Sequence, residues 1–210
     1  PEFSLPTLHQ LYKSDHNIEL VVTQPDRPRG RGRKSIPPPV KQFALEKKIP
    51  ILQPKKCTSP EVVEILGALN ADVFIVVAFG QILDETLLAL PHHFCINLHS
   101  SLLPKYRGAA PINWAIINGE TETGVTTMRM NAGLDTGDIL LSSKVPIGTE
   151  DDARSLHDTL AFEGSYLMLE TLHQLDSGTL ETVCQESALS SYAPKLKKED
   201  GLIQWNQSAV

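Results

Sequence analysis

Read for its apolar and polar positions, the chain alternates short β-branched runs with amphipathic stretches. "IELVVTQ" (18–24) has the make-up of a strand and ends in "PDRPRG", a loop punctuated by Pro and Gly. After "PPP" (37–39), "VKQFALEKK" spaces its apolar residues as a helix, and "IPILQ" (49–53) reads as a short strand. "SPEVVEILGALN" (59–70) reads as a helix with Ser59 as N-cap and Pro60 at the first position. "ADVFIVVAF" (71–79) is almost continuously apolar, the pattern of a strand buried on both faces. Then come the strand "FCINLH", a helix near "APINWAIING", and the strands "GVTTMRM" (124–130) and "DILLSSKVPI" (138–147). In the long helix that follows, Thr149 and Asp152 offer a capping box, and Leu156, Leu160 and Leu167 keep helical spacing. This alternation predicts a doubly wound, mostly parallel α/β sheet.

In such sheets the ligand crevice lies outside the carboxyl ends of the strands. Polar residues gather there: Gln24-Pro25-Asp26, Phe79-Gly80-Gln81, Asn97-Leu98-His99 and the loop "NAGLDTGD" (131–138). The run Phe94-Cys95-Ile96 is built for a core, yet the strand ends on an amide and an imidazole. Period-two alternation places Asn97 and His99 on one face. Asn97 is suited to donate to a developing oxyanion, His99 to stabilise or protonate the same centre, and Asp135 to orient the ring. The trio suits attack of an amine on a carbonyl. The competing reading is a satisfied polar strand end beside a turn-rich loop. Residue types alone stop at an α/β enzyme moving a group to or from a carbonyl.

Composition narrows the picture by exclusion. The chain has 210 residues, 41% hydrophobic and 21% charged, and no apolar run approaches the roughly 20 residues of a membrane helix. No dinucleotide fingerprint, P-loop, G-x-S-x-G elbow or H-E-x-x-H is present. Cys57, Cys95 and Cys184 fit neither a zinc pattern nor a disulfide framework, which points to a reducing compartment and to no metal. A net charge of −6 argues against a generic nucleic-acid binder. However, "RPRGRGRK" (27–34) holds five cations, Arg27, Arg29, Arg31, Arg33 and Lys34, so the remainder carries −6 less 5, or −11. A basic loop on an acidic body is a local device.

The stretch "INLHSSLLPKYRGAAPINWAIINGETETGVTTMRMNAGLDTGDIL" resembles the catalytic core of the folate-dependent formyltransferases. That resemblance implies a Rossmann-like formyltransferase fold, with Asn97, His99 and Asp135 as the catalytic trio. It puts Ser101, Leu102, Leu103 and Pro104 against the folate, and "AFGQIL" (78–83), with Phe79, Gly80, Ile82 and Leu83, around the pterin. The cosubstrate it implies is 10-formyltetrahydrofolate, with no metal. Two further stretches, "TQPDRPRGRGRK" and "SYAPKLKKEDGLIQW", are similar to the branch that formylates initiator methionyl-tRNA. There the basic loop reaches the acceptor end of the tRNA, which gives the charge split a reason: phosphate contacts at one spot.

The resemblance carries further expectations. Family members begin with a strand and a Gly-Thr turn ahead of "PEF", so the first, mid-sheet strand is expected to be missing from this chain. Residues 1–185 are expected to form the catalytic domain and 186–210 a linker toward an absent C-terminal β-barrel domain. A monomer without membrane contact is expected, in bacterial cytoplasm or an organelle matrix or stroma. Two other readings remain open: a formyltransferase acting on a sugar-nucleotide or other small amine, and a non-catalytic RNA-binding module on the same fold.

Overall fold

The computed structural model describes residues 1–29, 34–202 and 205, with the backbone alone for 27–29 and 34–36. A 3₁₀ turn at Glu2–Ser4 leads into α1 (Leu5–Lys13). The order then runs β1 (Val21–Val22), β2 (Arg27–Arg29), β3 (Lys34–Ile36), α2 (Pro39–Glu46), β4 (Ile51–Leu52), α3 (Pro60–Ala68), β5 (Phe74–Val77), α4 (Glu85–Leu88) and β6 (Cys95–His99). β7 (Arg107–Gly108), α5 (Pro111–Ile117), β8 (Glu122–Arg129), β9 (Ile139–Pro146), α6 (Ala153–Asp176) and β10 (Tyr192–Ala193) complete it.

The sheet at the centre has the order β5-β6-β8-β9. β5 and β6 run parallel, and β8 and β9 continue antiparallel. β1 pairs with β4 and β7 with β10, both parallel, whereas β2 and β3 form an antiparallel ladder. The doubly wound α/β class holds, with mixed pairing. Helices cover both faces of the β1–β4 pair: Val21 packs with Val40 and Phe43 of α2, while Val22 and Leu52 pack with Val62 and Leu66 of α3.

The largest core lies under α6, where Ile96, Leu98, Val125 and Leu140 of the sheet meet Leu156, Leu160, Met168 and Leu172. Helix and strand touch closely there, because a Cβ at Gly164 would sit 2.6 Å from the Leu98 side chain. The helix starts three residues later than the sequence suggests. Asp152, not Thr149, is the cap, accepting from the backbone N–H of Arg154 and Ser155 while the Ser155 hydroxyl accepts from Asp152 N–H. Ser59 does precede α3, but without a side-chain capping bond.

β5 differs from the expectation in an informative way. All four of its residues keep partial exposure instead of being buried on both faces. β1 and β5 do not pair with each other, and both border one cavity of about 750 Å³ whose lining includes Val21, Val22, Thr23, Ile75, Val76 and Val77. The buried Thr7 hydroxyl, also on that cavity, has no hydrogen-bond partner among the described residues.

Candidate active site

β6 has the alternation the sequence predicts. Ile96 and Leu98 enter the core, and His99, almost fully buried, closes the strand. Asn97 shares the face of His99, and its amide makes no hydrogen bond among the described residues. The His99 ring is fixed by the turn that follows: its Nε2 lies 2.9 Å from the Tyr106 carbonyl. A carbonyl only accepts, so Nε2 carries the hydrogen and Nδ1 is left for chemistry. Nδ1 faces Asp135 Oδ2 at 3.8 Å, within ion-pair range and beyond hydrogen-bond length.

Tyr106 holds that carbonyl in place at a cost. Its φ of +60° is in the left-handed region, which carries strain of about 1–3 kcal/mol for a bulky residue. Its surroundings over-determine it. The N–H donates to Ser191 Oγ, while the phenol donates to Glu120 and accepts from Asn118. Burial, followed by the Glu120 carboxylate, pushes the phenol above its ordinary range, so it stays a donor.

Asp135 arrives by a route the sequence does not show. The β8–β9 loop starts beside the beginning of β6, where Met130 N–H bonds the Cys95 carbonyl. It returns to Arg129, whose N–H bonds the Asp138 carbonyl. Between these two ties the loop tip lies back along β6 to reach His99. At the tip Asp135 has a φ of +52° and accepts from Gly108 N–H at 2.8 Å. Gly137 is required at the neck, since a Cβ there would overlap the Arg129 carbonyl oxygen.

The structure thus joins His99 with Asp135, and Asn97 with the face of His99. The expected folate segment divides. Ser101 has no exposed surface and donates to the Lys105 carbonyl, and the N–H of buried Leu103 donates to the Thr126 hydroxyl. Leu102 and Pro104 remain partly exposed. After β5, Ile82 and Gly80 are exposed and Phe79 and Leu83 half-buried; the Phe79 carbonyl accepts from Gln24. Of the basic loop, Arg27, Arg29 and Lys34 lie on the β2–β3 ladder, while Arg31 and Arg33 lie outside the described residues. Sequence reasoning missed Tyr106, Gly108, Arg107 and Gln185, which act on the site through backbone groups or through contacts distant in sequence. Among the described residues no group of three His, Cys, Asp or Glu is placed to hold a metal ion, and no helix is long and apolar enough to cross a membrane.

Comparison with known proteins places this geometry in context. A family model described as formyl transferase matches residues 2–172. The methionyl-tRNA formyltransferase of Geobacter metallireducens is 58% identical over 207 residues, covering 99% of this chain and 67% of that protein. Its counterpart from Geobacter sulfurreducens is 55% identical over 210 residues, covering all of this chain and 66% of that protein. The chain therefore spans about two thirds of the length of these relatives. Among solved structures, a phosphoribosylglycinamide formyltransferase from Anaplasma phagocytophilum superposes with a TM-score of 0.70 at 22% identity, over 88% of this chain and 89% of that one. The sugar 3N-formyl transferase WlaRD, crystallised with dTDP and 5-N-formyl-THF, gives 0.69 at 24%, over 94% and 67%. These two share the fold. With the family model matching 2–172 and 55–58% identity to the Geobacter enzymes over nearly all of its length, the chain belongs to the formyl transferase family, in its methionyl-tRNA formyltransferase branch.

Proposed function

We propose that the protein transfers a formyl group from 10-formyltetrahydrofolate to the α-amino group of initiator methionyl-tRNA. The observation that carries this is the His99–Asp135 pair, with the Asn97 amide on the face of His99, in a chain 58% identical to an enzyme of that name. The neutral amine attacks the formyl carbon, and the carbonyl oxygen becomes an oxyanion. Asn97 and the protonated Nδ1 of His99 donate to it, since Nε2 is already committed to Tyr106. Asp135 balances the imidazolium and takes the amine proton through a water. The tetrahedral centre then collapses, the bond to N10 breaks, and the proton held by Asp135 passes through the water to that nitrogen. Leu102, Pro104 and the 79–83 segment are the surfaces offered to the folate, and the basic run with Arg27, Arg29, Arg31, Arg33 and Lys34 supplies the charges for the tRNA phosphates.

The test is formyl transfer with 10-formyltetrahydrofolate and charged methionyl-tRNA, alongside amino-sugar nucleotides. Formylation of the tRNA, with a KM raised by neutralising Arg27, Arg29 and Lys34, is the expected result. Transfer to the sugar alone overturns the acceptor, and binding of tRNA without any transfer overturns the enzyme.

A further inference from the structure

Residues 185–194 follow the stretch that the family model covers, yet they are woven into the site. Tyr192 and Ala193 of β10 pair with Arg107 and Gly108 of β7. Ser191 takes the Tyr106 N–H, and the Pro194 carbonyl takes the Trp114 indole N–H. Gln185 reaches furthest in. Its amide nitrogen donates to the carbonyls of Asp135 (2.9 Å) and Gly137 (2.6 Å), and its oxygen accepts from Nε (3.0 Å) and Nη2 (2.8 Å) of Arg107.

We propose that Gln185, clamped by Arg107, is a positioning residue for the formyl-transfer step, setting the place of Asp135 against His99. The proposal rests on the reading of Asn97, His99 and Asp135 as the reacting set. The amide orientation is chemically forced: only its oxygen can face a guanidinium, and only its nitrogen can face two carbonyls. All of its hydrogen-bonding capacity is in use, and the planar guanidinium fork holds its plane. The loop tip depends on it. Asp135 occupies a left-handed conformation that a non-glycine residue seldom adopts, and Leu134 beside it is exposed. Besides the Gln185 bonds, the tip is tied by Gly108 N–H on the Asp135 carboxylate and, at the neck, by Gly133 N–H and the Thr136 hydroxyl on Asn131 Oδ1. The Gly108 tie holds the carboxylate, and Gln185 holds the backbone that aims it. Arg107 and Gly108 are adjacent on β7, so one short strand, itself pinned by β10, controls both ties.

The experiment compares Gln185→Met, Arg107→Met, Arg107→Lys and Asp135→Asn in steady-state formyl transfer, together with the double variant Gln185→Met/Asp135→Asn. Gln185→Met keeps the side-chain length and removes all four hydrogen bonds. A misplacement of the reacting carboxylate on the ångström scale lowers kcat by about a hundredfold, with KM for both substrates little changed. In the Asp135→Asn background the same substitution has no further effect, because the group it positions is gone. Arg107→Lys, which keeps one donor on the Gln185 oxygen, recovers part of the turnover lost in Arg107→Met. An unaltered kcat in Gln185→Met, a loss confined to KM, or a loss additive with that of Asp135→Asn overturns the proposal. If Gln185→Met does not fold, Arg107→Met is judged by the same criteria. Normal turnover in Asp135→Asn overturns instead the underlying reading of the trio. An inactive Asp135→Asn beside a normal Gln185→Met overturns the positioning role alone.

Discussion

Asn97 and Leu98 are neighbours on one strand and point to opposite faces, so truncating each should produce opposite phenotypes. Leu98 is 3% exposed and lies against Gly164 of α6. In Leu98→Ala the void has little to refill it: the residue across from it is a glycine, and the sheet is fixed by pairing on both sides. Leu→Ala changes at buried sites cost about 2.7–5.0 kcal/mol, and a site that cannot collapse belongs in the upper half of that range. Among the described residues the Asn97 side chain has no partner to orphan, so Asn97→Ala should leave stability within roughly 0.5 kcal/mol of the parent. On the proposed mechanism it removes one oxyanion donor, which should lower kcat by about a hundredfold to a thousandfold. Urea unfolding and single-turnover formyl transfer, normalised to folded protein, read the two effects separately. Turnover of Asn97→Ala within about threefold of the parent, where one lost donor should cost far more, would refute its role as a donor. Loss of under about 1 kcal/mol in Leu98→Ala would refute the packing argument.

Three other outcomes are expected. Burial pushes the Cys95 thiol up to about 12, so at pH 8 a maleimide should label exposed Cys184 in the native protein and Cys95 only after unfolding; equal native rates at the two would contradict this. Asp152 is held below the usual carboxylate range by the N–H groups of Ser155 and Arg154. Its contribution is therefore complete above the unfolded value of about 3.9 and fades as pH falls through the lower folded value, so Asp152→Ala should flatten the acid limb of stability against pH, measured by circular dichroism. An apolar β-branched peptide added in trans should seat between β1 and β5, raise the thermal midpoint and protect the amides of Val21–Val22 and Phe74–Val77 from exchange; unchanged exchange there would rule the seat out.

How much was legible in the sequence follows the range of each interaction. Strand β6 and its two-sided character come from period-two alternation, a property of five consecutive residues, and helix α6 from the spacing of Leu156 and Leu160. The cap of α6 is ambiguous in the sequence because Thr149 and Asp152 both satisfy the local pattern, and only the fold decides that the Asp152 carboxylate, not the Thr149 hydroxyl, meets the free N–H groups. The basic run at 27–34 is plain in the sequence, but its antiparallel ladder needs the register of Arg29 with Lys34.

By itself, the sequence determined the alternation of strands and helices, the placing of Asn97 and His99 on one face, and the residue types for transfer to a carbonyl. Tertiary structure alone decided which His99 nitrogen faces Asp135, since that depends on a Tyr106 carbonyl turned inward by a left-handed residue. It alone brought Asp135 back along β6, and it alone recruited Gln185 from fifty positions away. Local patterns are fixed by steric periodicity along the backbone. These contacts instead close long loops, and they exist only because the core under α6 and the β7–β10 pairing repay the entropy of closing them.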